Sequence, residues 1–429
     1  MFDRLTVLGH ALNEGRLLFR DRAVLERHQS RLAAEHLRWV AVHSPYTAER
    51  FRQAGLGVDQ WRQLPPIGKA EMMANFGTLN TAGVTLEGVL ALARRAEDTR
   101  DFSPSLPGNL TVGLSSGTSG SQGAFLVSRA ERLQWAGVVL RHLLPGWPAG
   151  LLRRQRVAFV LRAEGQLYRS VGSSRLHFKF LDLLRPIDEL AERLSAARPT
   201  LLIGPPGVLR ALLDAGATAR PERVVSVAEV LEDADRAALE AGFGPVVEVY
   251  QATEGLLALP CAHGHLHLNE AHVHFDFEPL EGGYLRPVLT DLRRRAQPMI
   301  RHRLNDLLVL APGCTCGQAA RRVARIAGRQ DDALNLPSAS GARLTLWPDF
   351  VRGALNRVAD LREYRAEQVG AAQLHLQLDP DLPGLRAGAE REVRAALARS
   401  GVGDIELMFG PLRPDPPGAK RRRVVQSWH

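Results

Sequence analysis

The sequence predicts an α/β protein that consists of a large N-terminal domain and a small α+β C-terminal domain. Between residues 157 and 250, short apolar runs alternate with helical patterns, which is typical of βαβ units and a mainly parallel sheet. After residue 328 the pattern changes to a self-contained order of helix, two strands, helix and strand. Because 429 residues exceed one typical domain, we expect domains at 1–327 and 328–429.

The large domain is expected to begin with helices and to continue with a sheet. Residues 22–51 carry apolar side chains at helical spacing. In residues 266–277, apolar side chains alternate with His272, His274 and Asp276, so antiparallel strands are expected with both histidines facing solvent. Between these regions the predicted strands are 157–161, 201–203, 224–225 and 246–249, and the predicted helices are 187–197, 208–213 and 236–241.

The small domain is predicted to have αββαβ order. Its helices are expected at 350–359 and 386–399, and its strands at 362–368, 373–378 and 404–408. The domain ends in a rigid proline-rich linker, Pro414–Gly418, which presents a basic tail at residues 419–423. This tail has two open interpretations, a functional segment or a solvated end.

Composition restricts the classes of function. The chain is 45% hydrophobic and 24% charged, which is ordinary for a globular protein with a sizeable core. Its formal net charge is +9, but the arginines are spread through every segment, so we expect no nucleic-acid partner. The first residues lack the apolar region of a signal peptide, and no later run reaches a membrane span, so a cytoplasmic location without a membrane partner is expected.

Lysine is rare in this chain. Only Lys69, Lys179 and Lys420 occur, and arginine supplies almost every other cation. A compact ammonium group cannot be replaced by a planar guanidinium at a crowded reacting centre. Each retained lysine is therefore a candidate for a specific role, with chance as the alternative.

A loop rich in serine and glycine, Asn109–Gly123, is suited to bind phosphate. Glycine allows close backbone approach, so that successive N–H groups can point into one concavity beside the hydroxyl groups. The residues expected to contact phosphate are Ser115, Ser116, Gly117, Thr118, Ser119 and Gly120.

This loop has three other possible interpretations. A hydrolase elbow, G-x-S-x-G, requires a helix after the serine, whereas Ala124–Val127 resembles a second strand and predicts a hairpin. A Walker A loop is excluded because no lysine lies nearby. A flexible surface turn is not excluded by composition alone.

Two later segments accompany the loop. Tyr250, Thr253 and Glu254 follow an apolar strand, where α/β proteins bind ligands. An arginine-rich strand then ends at Asp306, and Gly328–Asp332 resembles a hinge. In this order, the motifs of residues 64–420 resemble those of the adenylate-forming superfamily of acyl-CoA synthetases. The match is closest to the branch that contains the phenylacetate-CoA ligases and the coenzyme F synthetases.

This resemblance implies a role for each matching residue. Residues 115–123 would hold the phosphates of ATP, and Tyr250 would lie against its adenine. Thr253 would contact phosphate, and Glu254 would bind Mg²⁺. Asp306 would bind the ribose hydroxyls, Arg329 would help at the nucleotide, and Asp331 would be the hinge of a mobile C-terminal domain. Lys420 would bridge the carboxylate and the α-phosphate during adenylation.

The implied reaction begins with attack of an organic carboxylic acid on ATP, which gives an acyl-adenylate and pyrophosphate. The acyl group would then pass to an acceptor thiol, with CoA favoured. One alternative is an adenylyltransferase that transfers AMP to a cofactor, and another is a non-catalytic nucleotide-binding scaffold, which the retention of Glu254 and Lys420 disfavours. Relatives of this kind are commonly homodimers.

Some positions depart from the family pattern. Arg301-His302-Arg303-Leu304-Asn305-Asp306 replaces the usual Arg-Tyr-Arg-Thr-Gly-Asp. Ser121-Gln122-Gly123 stands where many members carry a proline and a lysine. Adenylation remains the expected chemistry, and the acid is not identified by these motifs.

All three cysteines lie in two short segments, Cys261–His267 and Cys314–Gly317. In a cytosolic chain, C-x-C with a distant cysteine and histidine indicates zinc more than a disulfide. The phenylacetate-ligase branch has a similar arrangement, and by that match the ligands are Cys261, His267, Cys314 and Cys316, with His263 or His265 as alternatives for the histidine. Four protein ligands would make the zinc structural, and the alternative is a set of cysteines without metal.

Overall fold

The computed structural model describes residues 2–101, 105–114, 123–161, 175–415 and 421–428. These residues form two compact units. The first consists of Met1–Glu278, Pro287–Leu304 and Leu310–Ala324, and the second consists of Pro279–Arg286, Asn305–Val309 and Arg325–His429. The boundary predicted near residue 328 therefore stays a prediction, since the second unit also takes in two earlier segments.

The first unit begins with helices, as predicted. Asp21 caps the long second helix by accepting a hydrogen bond from Val24 N, and Ser44 ends it and caps the next by accepting from Thr47 N. Pro45 sits at the first position of that next helix, so the expected single helix is two. None of the helices in the described ranges is long and apolar enough to cross a membrane. The helices are α1 (Phe2–Glu14), α2 (Arg22–His43), α3 (Pro45–Ala54), α4 (Lys69–Ala74), α5 (Phe76–Leu79) and α6 (Leu86–Thr99).

A hairpin flanks the serine- and glycine-rich loop. Strands β1 (Thr111–Leu114) and β2 (Ala124–Val127) pair antiparallel, with Val112 opposite Leu126, so the predicted hairpin is confirmed. Helix α7 (Arg129–Leu143) follows directly. It starts with a capping box between Ser128 and Glu131, so the helix begins directly after the strand.

The predicted parallel sheet is present. In strand β3, Ala158 and Val160 belong to one apolar core and Val157 and Phe159 to another, because alternate side chains of a strand point to opposite faces. Strand β4 was not predicted, since polar residues interrupt its apolar ones. The strands are β3 (Gln155–Leu161), β4 (Leu176–Asp182), β5 (Leu201–Gly204), β6 (Arg223–Ser226) and β7 (Val246–Glu248). Their order in the sheet is β4-β3-β5-β6-β7. The helices of this region are α8 (Ile187–Ala197), α9 (Pro206–Asp214) and α10 (Asp233–Gly242).

An eight-stranded sheet follows in the chain. Its pairs β8–β9, β9–β10, β10–β15 and β12–β13 are antiparallel. The two pairs of β10 confirm the antiparallel arrangement that the alternation of residues 266–277 predicted. The order is β11-β12-β14-β15-β10-β9-β8, and β13 pairs with β12. The strands are β8 (Tyr250–Ala252), β9 (Gly255–Pro260), β10 (Leu266–Leu268), β11 (Val273–Pro279), β12 (Leu285–Asp291), β13 (His302–Arg303), β14 (Asp306–Ala311) and β15 (Arg322–Arg329).

The expected exposure of His272 and His274 is wrong, because both side chains are buried. His272 Nε2 lies 2.8 Å from the carboxylate of Glu14, at the end of α1. His274 Nδ1 lies 3.3 Å from the side-chain oxygen of Gln29 in α2. The N-terminal helices thus cover the polar face of this strand, which strand alternation alone cannot reveal.

The second unit contains the predicted α, β, β, α and β elements with shifted ends, but two paired strands that were not predicted precede them and one unpredicted strand follows them. Helices α11 (Pro348–Leu355) and α12 (Pro383–Arg399) contribute Val351, Leu355 and Val393 to a core that also contains Leu376. Its sheet has the order β20-β19-β18-β21, in which β18 and β19 are antiparallel and each outer strand is parallel to its neighbour. The strands are β16 (Leu334–Pro337), β17 (Arg343–Leu346), β18 (Glu363–Gly370), β19 (Gln373–Asp379), β20 (Glu406–Pro411) and β21 (Val424–Gln426).

Candidate active site and candidate metal centre

Tyr250, Thr253 and Glu254 are held by the tight connection between β8 and β9. Tyr250 is the first residue of β8 and is buried, and the two strands pair antiparallel with Ala252 opposite Gly255. Thr253 and Glu254 are thus the two residues between the strands. The short connection fixes their backbone, so the predicted adenine, phosphate and magnesium residues lie within one rigid segment.

Glu254 is a buried carboxylate that stays ionised. Burial raises its pKa, but the neighbouring His302 and the hydroxyl of Thr253 outweigh that effect and lower the pKa to about 2. The Thr253 hydroxyl donates to Oε2 at 2.8 Å, and His302 Nε2 lies 3.7 Å from Oε1. An ionised carboxylate oxygen in a buried position is a suitable ligand for Mg²⁺.

His302 is a functional candidate that the sequence motifs did not reveal. It occupies the position at which the family pattern has tyrosine, in β13, where it pairs with Leu289 and bridges to Ile67. Its side chain is buried, and its Nδ1 has no hydrogen-bond partner among the described residues. The only available signal was the substitution itself, since nothing in the sequence places residue 302 beside Glu254.

The predicted phosphate-binding residues lie outside the described residues. These are Ser115, Ser116, Gly117, Thr118, Ser119 and Gly120. The two strands that flank them are described, with Leu114 opposite Ala124 at the end of the hairpin nearest the loop. The last described residue before the loop therefore lies beside the first residue of β2.

The second unit brings together Asp306, Arg329 and Asp331. Arg329 Nε lies 3.6 Å from the Asp306 carboxylate. The side chain of Asn305 donates to Asp331, and Gln330 N donates to Asn305 O at 2.8 Å. The segment before Asp306 and the predicted hinge are thus joined by both side-chain and backbone hydrogen bonds.

Lys420 lies outside the described residues, but the three arginines that follow it in the sequence are described. Arg421 and Arg423 both form ion pairs with Glu363 on β18, and Arg423 Nε lies 2.8 Å from its carboxylate. Arg422 pairs with Asp332 and donates through Nε at 3.0 Å. The basic tail is therefore paired with carboxylates within the second unit, which excludes the interpretation as a solvated end for residues 421–423.

The predicted zinc ligands converge. One ligand atom from each of four residues lies within 4.8 Å of the others, and the residues are Cys261, His267, Cys314 and Cys316. Cys261 follows β9 and His267 is in β10, whereas the other two cysteines precede β15. All three cysteines are free of disulfide bonds.

The separations between these atoms fit a tetrahedral zinc ion. Zinc–sulfur bonds of about 2.3 Å and zinc–nitrogen bonds of about 2.0 Å place two sulfurs about 3.8 Å apart and a sulfur and a nitrogen about 3.5 Å apart. Cys261 Sγ lies 4.0 Å from Cys314 Sγ, and Cys316 Sγ lies 3.5 Å from His267 Nε2. His267 Nδ1 lies 2.8 Å from Ala320 O, and this contact directs Nε2 toward the sulfurs.

The two cysteines of the C-x-C pair have different surroundings. The Cys316 N–H, with nearby histidine and cysteine side chains, lowers the pKa of Cys314 to about 5. Burial raises the pKa of Cys316 to about 11. A second group, His263, His265 and Cys314, also has one ligand atom from each residue within 4.8 Å of the others. In this group His265 Nδ1 lies 3.1 Å from Cys314 Sγ. The alternatives for the histidine ligand therefore remain.

Sequence comparison gives a partial match. No family model matches the chain. A stretch of 118 residues is 27% identical to the phenylacetate-coenzyme A ligase of Pseudomonas putida. The match covers 26% of this chain and 25% of that relative's length.

Solved structures match almost the whole chain. The structure of 2-hydroxyisobutyryl-CoA ligase in the postadenylation state, in complex with 2-HIB-AMP, covers 95% of this chain and 89% of its own at a TM-score of 0.68 and 18% identity. An anthranilate CoA ligase in complex with anthranoyl-AMP covers 74% of this chain and 66% of its own at a TM-score of 0.52 and 15% identity. These similar proteins are CoA ligases, and the likeness confirms the fold that the resemblance implied. The chain has the fold of the adenylate-forming acyl-CoA ligases.

Proposed function

We propose that this protein is an ATP- and Mg²⁺-dependent ligase that converts an organic carboxylic acid into an acyl-adenylate and then into a thioester of CoA. The single observation that carries the proposal is the buried Glu254, 2.8 Å from the Thr253 hydroxyl, in the fold of ligases whose structures contain acyl-AMP. A buried carboxylate must be stabilised by its neighbours, which here are Thr253 and His302. A carboxylate stabilised in this way is a suitable ligand for a divalent cation. The proposed site lies in a cytoplasmic enzyme.

The proposed first step joins the acid to the nucleotide. An oxygen of the substrate carboxylate attacks the α-phosphorus of ATP, and the bond to the β-phosphate breaks, which releases pyrophosphate. Mg²⁺ on Glu254 would neutralise charge on the phosphates. Thr253 and residues 115–120 are proposed to donate hydrogen bonds to phosphate oxygens, and Lys420 is proposed to stabilise the charge that develops on the α-phosphate.

The remaining nucleotide contacts follow from the resemblance. Tyr250 is proposed to lie against the adenine, and Asp306, with Arg329 near its carboxylate, is proposed to bind the ribose hydroxyls. Asp331 is proposed as the hinge. In the second step, the thiolate of CoA attacks the acyl carbon, and AMP leaves. The likeness to an open conformation of 2-hydroxyisobutyryl-CoA ligase in complex with 2-HIB-AMP and CoA, at a TM-score of 0.58, supports CoA as the acceptor.

Acid-dependent exchange of pyrophosphate into ATP tests the first step. We expect exchange that requires both Mg²⁺ and an acid from a broad panel, followed by AMP release when CoA is added. Exchange without any CoA-dependent AMP release would instead support the adenylyltransferase alternative. Binding of ATP without exchange for any acid would support the non-catalytic scaffold.

We propose that Cys261, His267, Cys314 and Cys316 hold one structural zinc ion. We expect about one equivalent of zinc per purified chain, and less than about half an equivalent in the Cys316→Ser variant, because loss of one of four ligands weakens a tetrahedral site. His263→Gln is the matched control, since His263 is exposed and belongs only to the second group. Normal zinc in Cys316→Ser, or loss of zinc in His263→Gln, would contradict the proposed ligand set.

A further inference from the structure

Arg294 has one of the most deeply buried side chains in the described part of the protein, at 1% exposure. Burial of a guanidinium group is costly unless hydrogen bonds and charges compensate for the lost water. The partners of Arg294 therefore indicate what the residue does. They lie on two different elements of the first unit, and both elements belong to the proposed ATP site.

One partner is the strand that follows the predicted phosphate loop. Arg294 Nη2 donates to Leu126 O at 3.1 Å, and Leu126 N donates to the Gln297 side-chain oxygen at 2.9 Å. Leu126 is opposite Val112 in the hairpin. The side chains of Arg294 and Gln297 thus form hydrogen bonds with the backbone C=O and N–H of Leu126, as the backbone of a neighbouring strand would do.

The other partner is the segment that carries the proposed magnesium ligand. Arg294 Nη1 donates to Thr253 O at 2.8 Å, and Thr253 directly precedes Glu254. A guanidinium group is planar, and its N–H directions are fixed relative to one another. By binding Leu126 O and Thr253 O together, this one group sets the distance between β2 and the β8–β9 connection.

Arg294 is itself held firmly. The Asp291 carboxylate accepts hydrogen bonds from the backbone N–H groups of Arg293 and Arg294 at 2.8 and 2.9 Å. Glu131, at the start of α7, accepts from the N–H groups of residues 295 and 296. The centre of the guanidinium also lies 5.7 Å from the centre of the Trp135 ring. The backbone of residues 293–296 is therefore fixed by buried carboxylates on both sides.

We propose that Arg294 is a positioning residue for Mg·ATP. It holds the hairpin that carries the predicted phosphate loop at a fixed distance from Thr253 and Glu254, and it acts only through Leu126 and Thr253. This inference rests on the proposed function, because it assigns the two positioned elements to the phosphates and to Mg²⁺. The triphosphate of ATP would contact both the hairpin and the β8–β9 connection. It binds tightly only when the distance between these two elements is already correct.

The Arg294→Lys variant tests the inference. It retains the positive charge, but a lysine ammonium lacks the planar fork that binds two carbonyl oxygens in fixed directions. We expect KM for ATP to rise about tenfold or more, whereas KM for the acid changes less than about twofold. Arg223→Lys is the matched control, because Arg223 also donates to two carbonyl oxygens, those of His142 and Leu143, both at 3.1 Å. The control is expected to leave both KM values unchanged.

Several outcomes would overturn the inference. Equal changes in both KM values, or the same change in Arg223→Lys, would show a general structural role instead. Absence of ATP binding and exchange in the unmodified protein would be a failure of the proposed function, which is a separate result. If Arg294→Lys does not fold, hydrogen exchange of the unmodified protein decides: a nonhydrolysable ATP analogue with Mg²⁺ should protect residues 124–127 and 291–297 together. Protection of residues 124–127 without residues 291–297 would contradict the inference.

Discussion

Replacement of Glu254 by glutamine is expected to lower acid-dependent pyrophosphate exchange by about 10²- to 10³-fold. In the unmodified protein, the Thr253 hydroxyl donates to Glu254 Oε2 at 2.8 Å. The neutral amide of glutamine keeps the size of the side chain and can still accept this hydrogen bond. It cannot supply the negative charge that binds Mg²⁺. Because the pKa of Glu254 is about 2, the unmodified carboxylate is charged at every pH at which the protein would be assayed.

A matched control exists for this variant. Glu14 is also buried, its carboxylate also lies beside a buried histidine, His272 at 2.8 Å, and its pKa is also lowered, against the effect of burial, by that histidine. Glu14→Gln is expected to destabilise the protein about as much and to leave exchange within about twofold. Exchange in Glu254→Gln that stays within about twofold of the unmodified protein at limiting Mg²⁺ would remove Glu254 from the proposed site.

The second large effect is expected from Lys420→Ala, and it should be confined to one half-reaction. We expect pyrophosphate exchange to fall by about 10²- to 10³-fold, because a cation that stabilises charge developing on the α-phosphate is lost. Transfer of the acyl group from a supplied acyl-adenylate to CoA should stay within about threefold, since that step no longer involves pyrophosphate. Equal losses in both steps would contradict the role proposed for Lys420.

The ion pairs next to Lys420 allow a finer version of this experiment. Glu363→Gln weakens the ion pairs of Arg421 and Arg423, the first and third residues after Lys420. We therefore expect about a tenfold loss in adenylation alone. Glu392→Gln is the control, because Glu392 forms an ion pair with Arg357, at 3.0 Å, elsewhere in the second unit. A loss in Glu392→Gln as large as in Glu363→Gln would indicate a general effect on that unit.

Elements with strong periodic patterns were predictable from the sequence. The apolar runs around Val157–Leu161 and the helical pattern around 386–399 gave strands and helices close to those observed, because their apolar residues form the cores. The strand β21 was missed, since a three-residue strand just after the basic tail has no periodic signal. It is identified only through its pairing with β18, which lies far away in the sequence.

The candidate sites were predictable only in part. The three cysteines were predicted as metal ligands because their type and spacing indicate zinc, whereas the role of Glu254 was predicted from the resemblance to the adenylate-forming superfamily. Both stay predictions. His302 and Arg294 were not found, since an arginine or a histidine in a strand-rich segment has no local property that indicates burial beside another element. The same limit explains the wrong prediction for His272, whose partner Glu14 is separated from it by 258 positions.

The cysteine and histidine cluster also has a consequence for synthesis of the chain. Cys261 and Cys314 are separated by 53 positions. At a translation rate of about 5–20 residues per second, the β9–β10 ligands emerge from the ribosome about 3–10 s before the C-x-C pair. A metal ion bound during that interval would have only two of its four proposed ligands, so tight binding is expected only after the loop before β15 has emerged.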